Sequence, residues 1–93
     1  MKVLSISIAA YNVAYTLKEC LDPFLKSNVL GELDIMVVDD GSSDNTAEIA
    51  EEYHALYPDT FRLIKKENGG WGSTVNTGIK EAKGMYFKQL DGD

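Results

Sequence analysis

Residues 37–46 read VVDDGSSDNT, and this stretch decides the fold. The apolar segment Leu33 to Val38 ends in two adjacent carboxylates, Asp39 and Asp40, and then in a tract of turn-forming residues. Beyond it the spacing changes. Ile49, Ala50, Tyr53, Leu56 and Tyr57 recur at the three- and four-residue intervals of a helix that faces a core, and Pro58 marks its end. A buried strand running through a polar turn into a helix is half of a βαβ unit. Ser43 or Asp44 is placed to cap that helix.

The same alternation extends both ways. Upstream, Val3 to Ala9 is a compact β-branched run suited to a buried parallel strand. Its start, MKVLSISIAAYN, has the lysine and apolar run of a signal peptide. The run is too short, however, and is broken by Tyr11 and Asn12, so it reads as a strand. Leu17, Leu21, Phe24 and Leu25 form a helical stripe. Thr16 and Glu19 have capping-box spacing at its start, and Pro23 is expected to kink or end it. Downstream, Phe61 to Ile64 reads as a third strand and ENGGWGS as a loop. Thr74 to Lys83 reads as a third helix with Gly84 as a left-handed cap, and Met85 to Leu90 as a fourth strand. Strand–helix alternation with short connections predicts an α/β fold, a mostly parallel sheet with helices on both faces. Ligands of such sheets bind beyond the carboxyl ends of the strands, where strand order reverses. Tyr11 and Asn12, Asp39 and Asp40, the glycine loop, and Asp91 with Asp93 are all expected on that rim.

The 93 residues suffice for one domain or a fragment of one, with modest stability. A net charge of −6 argues against nonspecific binding to nucleic acid or an anionic membrane, since both are polyanions. A phosphate ligand would need positive charge from elsewhere, and a divalent cation is the natural source. The single Cys20 cannot form an internal disulfide and reads as a small buried hydrophobe. No segment reaches the ~20 apolar residues that span a bilayer. The chain is expected to fold in a reducing cytoplasm.

The chemistry-bearing residues leave alternatives open when taken singly. Asp39 and Asp40 repel each other, so donors or a cation are needed nearby. They can accept hydrogen bonds from a ribose or a base, or merely cap the turn. ENGGWGSTVNTG, residues 67–78, matches neither the Walker A pattern nor G-x-G-x-x-G. Gly69 and Gly70 permit positive φ and could present N–H groups to a phosphate or a sugar. Otherwise the stretch is a flexible loop with Ser73 as a helix cap. Trp71 reads as a partly buried anchor in preference to a stacking surface. In QLDGD, Asp91 and Asp93 can both turn toward one hard cation if Gly92 allows a bend. His54 reads as a surface histidine, and no Ser-His-Asp set or zinc cluster is present.

In order and spacing, SIAAYN, VVDDGSSDNT, the NGG…NTGI…AKG block and LDGD together resemble the start of the family 2 glycosyltransferases, over essentially the whole chain. The resemblance implies the Rossmann-like N-terminal half of the glycosyltransferase A-type fold, with residues 1–93 as a nucleotide-sugar-binding part that ends at its D-x-D motif. It implies a UDP-sugar donor, transfer with inversion, and Mn²⁺ or Mg²⁺ on the diphosphate. Tyr11 matches the position that packs on the base, with Asn12 beside it. Asp40, with Asp39, matches the carboxylate that recognises uridine. Asp91 and Asp93 match the D-x-D, Asp93 being the preferred metal ligand, and Gly70 and Asn76 lie in the matching loop and helix start. Three positions depart from the family pattern: Ala9 where proline is common, Val75 where a basic residue is common, and Pro23 in the first helix.

The family's acceptor site and catalytic base follow the D-x-D, so this polypeptide is expected to bind nucleotide without turnover. A saccharide or lipid-linked acceptor, cell-envelope polysaccharide synthesis and work at the inner membrane face are family-level expectations. A non-catalytic nucleotide-binding or interaction module is the alternative. A receiver or phosphatase domain is disfavoured, because its acidic residues would follow the first strand. An exposed sheet edge is expected to support a homodimer.

Overall fold

The computed structural model describes residues 2–92. Four strands form one parallel sheet: β1 (Leu4–Ala10), β2 (Leu33–Asp39), β3 (Phe61–Lys65) and β4 (Tyr86–Asp91), in the order β3-β2-β1-β4. The connecting helices are α1 (Leu17–Leu21), α2 (Thr46–Leu56) and α3 (Trp71–Glu81). Ala10 pairs with Asp39, Asp39 with Lys65, and Ala9 with Asp91, so all four strands end level on one rim.

Every residue of β2 is buried, as a strand covered on both faces requires. Strand alternation then sorts the side chains. Ile6, Ile8, Ile35, Val37 and Phe61 share one face and pack with Leu17, Leu21, Ala50 and Tyr53 from α1 and α2. Ser5, Ser7, Asp34 and Met36 point to the other face, where α3 lies. A Cβ at Gly78 of α3 would sit 2.2 Å from Ser7 Oγ. Helices therefore cover both faces, as expected.

The α3 face holds a buried polar clamp that sequence patterning did not reveal. Asp34, 2% exposed, accepts hydrogen bonds from Arg62 Nε (2.9 Å), Ser5 Oγ (2.7 Å) and Lys83 N–H (3.1 Å). Arg62 Nη2 also donates to the Glu81 carbonyl at 2.7 Å, which ties the C-terminus of α3 to the sheet. Burial raises the Asp34 carboxyl, but these donors outweigh it and hold it below the usual carboxylate range.

Several local expectations are corrected. Thr16 makes no side-chain cap; its hydroxyl donates instead to Gly92 O at 2.8 Å. One expectation there holds: the first helix ends at Leu21, just before Pro23, which lies in a 3₁₀ segment, Asp22–Lys26. The third helix begins at Trp71, so Ser73 lies inside it and does not cap it. Gly84 has no left-handed φ. It is needed because a Cβ there would lie 2.6 Å from Ser5 N. Leu56 is exposed and does not join the inward stripe. His54 is half-buried, and its Nδ1 contacts the Phe61 carbonyl at 2.7 Å.

Candidate functional site

On the rim, the first crossover turns back from β1 to β2 on one side, and β4 lies on the other. Strand order reverses between β1 and β4, and a cavity of about 360 Å³ opens at that point. Its floor is Ala9 and Ala10 at the end of β1, and Asp40 and Asp91 come from the strand ends on either side. Tyr11 and Trp71, 52% and 55% exposed, are its aromatic lining. Trp71 is thus an open face on the cavity, contrary to the buried-anchor reading. Among the described residues, no lysine or arginine lines the cavity.

Three donors hold the Asp40 carboxylate on the rim. Its Oδ1 accepts from Lys66 Nζ at 2.5 Å and from Gly69 N–H at 2.9 Å, and its Oδ2 accepts from Gly70 N–H at 3.0 Å. Burial raises its carboxyl; Lys66 and the two glycine amides overcome that and hold it below the ordinary carboxylate range. This supplies the donors and the cation that the adjacent aspartates demanded. The amides of Gly69 and Gly70 are thereby engaged by Asp40. Gly70 reaches its position with φ 87°, a conformation that favours glycine. Asn68 secures the same loop by donating to the Asp40 carbonyl at 3.0 Å.

The structure brings Ala9, Tyr11, Asp40, Gly70 and Asp91 to one cavity. Three other candidate residues stand apart from it. Asn12, at φ 51°, accepts through Oδ1 from Ser43 N–H at 2.8 Å, which locks the loop after β1 to the loop after β2. Asp39 accepts from Ser42 N–H at 3.0 Å and so caps its own turn. Asn76 is exposed on α3. Asp93 lies outside the described residues.

Thr74 on α3 and Asn68 join the lining unannounced by the sequence reading, and Trp71 joins it as the open surface that reading ranked second. An α3 that starts at Trp71 would have flagged Thr74. Gly92 follows β4 without a left-handed bend, donating its N–H to Ala9 O at 2.9 Å. A Cβ there would meet the same carbonyl at 3.0 Å, so glycine is needed for close approach to β1.

Sheet order, crossover pattern and rim cavity place the chain among glycosyltransferase A-type folds. Mannosyltransferase PcManGT from Pyrobaculum calidifontis, solved in complex with GDP-Man and Mn²⁺, superposes with a TM-score of 0.87 at 26% identity; the match covers 97% of this chain and 27% of that one. S. aureus TarS 1–349 in complex with UDP-GlcNAc also gives 0.87, at 30% identity, covering 100% of this chain and 27% of that one. The chain belongs to Glycosyl transferase family 2, whose sequence profile matches residues 5–93. It is 42% identical over 91 residues to the uncharacterized glycosyltransferase EpsJ of Bacillus subtilis, a match covering 98% of this chain but 26% of the relative. It is 38% identical to the chondroitin synthase of Pasteurella multocida, again over 98% of this chain and 9% of that protein. The chain thus spans about a quarter or less of the length of these relatives.

Proposed function

We propose that this chain is the donor-binding part of an inverting family 2 glycosyltransferase and that the rim cavity takes a UDP-sugar. The observation that carries this reading is the cavity itself: two carboxylates and two open aromatic faces at the switch point, without a cationic side chain. Tyr11 offers its ring to the base, as exposed aromatics at nucleotide sites do. Asp40, kept ionised by Lys66 and the loop amides, accepts a hydrogen bond from a ring N–H. Ala9 leaves room on the floor where a larger side chain would intrude.

A bound diphosphate here needs charge that the lining does not supply. Asp91 is the one described carboxylate at the β4 side, and the described residues form no group of three metal-ligating side chains. One or two carboxylates plus substrate phosphates is the donor set that Mg²⁺ accepts, and Mn²⁺ also suits oxygen ligands, so Asp91 with Asp93 fits either ion. When bound, the ion would offset the negative charge of the departing nucleotide. The chain's own residues position the donor. A saccharide or lipid-linked acceptor, envelope polysaccharide as product, and work in the cytoplasm at the inner membrane face complete the proposal.

The β4 edge, where Met85 and Tyr86 are exposed, is proposed to pair two copies by strand addition. A strictly monomeric sedimentation profile at high concentration would count against pairing.

Calorimetric titration with UDP, with and without Mn²⁺, tests the site. Trp71 is the only tryptophan, so its fluorescence reports the same event independently. Metal-dependent binding that Asp91→Ala abolishes is expected; binding unaffected by chelator or by Asp91→Ala would overturn the metal assignment.

A further inference from the structure

Tyr11 and Trp71 leave large aromatic rings half in water, on a rim whose other lining is small or polar. Both are tied to the surroundings of one carboxylate. On one side the Asp40 N–H donates to the Ala10 carbonyl at 2.8 Å, which sets Tyr11, the next residue, beside Asp40. Asn12 holds that segment from beyond: its N–H donates to Ser42 Oγ at 2.9 Å, and its Oδ1 accepts from Ser43 N–H at 2.8 Å. On the other side the Gly70 N–H donates to Asp40 Oδ2 at 3.0 Å, and Trp71 follows as the first residue of α3. Thr74 pins that start, since its N–H and its hydroxyl both donate to the Gly70 carbonyl, at 3.0 and 2.9 Å. The two rings therefore stand on secured backbone and line one cavity with Asp40, over a floor of Ala9 and Ala10 whose side chains fill little of it.

We propose that Trp71 is a base-stacking residue: with Tyr11 it holds the two faces of one nucleobase whose N–H edge meets Asp40. This inference rests on the donor-site reading, which gave one face of the base to Tyr11, and it assigns the second. Every base has two π-faces, and a face left in water forgoes stacking that an aromatic wall would supply. A flat ring clamped on both sides also covers two exposed aromatic surfaces at once, apolar area that the rim otherwise leaves wet. Because the backbone under each ring is already secured, little further freedom is lost on binding. The clamp holds the nucleotide by its base, in a cavity where no described lysine or arginine is placed to hold it by the diphosphate. Stacking tolerates any base, so Trp71 supplies affinity and Asp40 the choice among bases. Trp71 binds the donor and takes no part in bond making.

The test reads Trp71 directly, because it is the only tryptophan. Its emission is followed in Mg²⁺ while the full chain is titrated with UDP and, separately, with inorganic pyrophosphate. UDP is expected to quench and shift the emission, and pyrophosphate, which has no base, to leave it unchanged. An equal response to both, or no response to UDP that calorimetry shows to be bound, overturns the inference. Calorimetric titration of Trp71→Ala and Trp71→Phe with UDP gives the magnitude. Trp71→Ala should weaken UDP about 5- to 150-fold, the worth of one aromatic ring stacked on one base, and Trp71→Phe should recover most of that loss. Unchanged affinity in Trp71→Ala refutes the clamp while leaving the donor site intact, and so does a Trp71→Phe protein as weak as Trp71→Ala. Should either variant fail to fold by circular dichroism, the wild-type emission decides alone. A wild type that binds no UDP removes the donor-site reading and this inference with it.

Discussion

Gly78→Ala is a substitution on which sequence rules and the structure predict opposite signs. Gly78 lies in the middle of α3, where replacing glycine with alanine ordinarily stabilises by about 0.5–1 kcal/mol. Here the added Cβ would sit 2.2 Å from Ser7 Oγ and 2.7 Å from Ser7 Cβ. Ordinary contact begins near 3.4 Å, so relief demands a separation of more than an ångström. Ser7 cannot give way, because it is fully buried on β1, which is flanked by β2 on one side and β4 on the other. The helix must move instead, against the Asp34–Arg62 clamp that fixes its far end.

A contact of 2.2 Å puts the overpacking cost at the upper end of the usual range, about 2–3 kcal/mol, which outweighs the propensity gain and leaves a net loss of about 1–2 kcal/mol. For a domain of this size that lowers the urea midpoint by about 1 M at unchanged slope. Gly72, in the first turn of the same helix, is the control. A Cβ there meets nothing within 4 Å, so Gly72→Ala should be neutral or stabilise by about 0.5 kcal/mol. Urea unfolding of both variants, followed by circular dichroism, decides. A Gly78→Ala protein as stable as the wild type would refute the claim that glycine is there to let α3 touch the sheet.

Ser7→Ala should be neutral or stabilising by up to about 1 kcal/mol in the same assay, since Ser7 Oγ is buried without a hydrogen-bond partner among the described residues. Arg62→Met should cost about 3 kcal/mol at neutral pH by leaving Asp34 buried and short of its cation, and the loss should shrink toward pH 4 as the carboxyl protonates. Asp34 and Asp40 both have folded pKa values below the unfolded value of about 3.9, so their contribution is complete above that value. Thermal midpoints should therefore hold down to about pH 4 and decline below it as each folded pKa is crossed; a midpoint that rose on acidification would contradict both assignments. Thr16→Val should loosen Gly92, whose carbonyl accepts from the Thr16 hydroxyl, at a cost of about 1 kcal/mol and with weaker metal-dependent nucleotide binding through the neighbouring Asp91.

The sequence by itself determined the alternation of strands and helices, hence the parallel sheet, because burial on both faces of β2 leaves a legible apolar run and α2 leaves a stripe. It also determined that Tyr11, Asp40, Gly70 and Asp91 lie on the same rim, since residues that follow parallel strands must emerge at one edge. Residue patterning left open which of two adjacent aspartates faces the cavity; the family resemblance pointed to Asp40, and the folded chain turns that carboxylate to it. Asp39 and Asp40 are chemically identical, and their roles differ because strand alternation points them apart. Asp39 turns to Ser42, while Asp40 turns to Lys66 and the glycine amides. The same holds for the partners of Asp34, which come from β1, β3 and the segment after α3 and are brought together only by the sheet. Periodicity records which side a residue faces. The partners it meets there come from distant segments, which only the folded chain brings within hydrogen-bond reach.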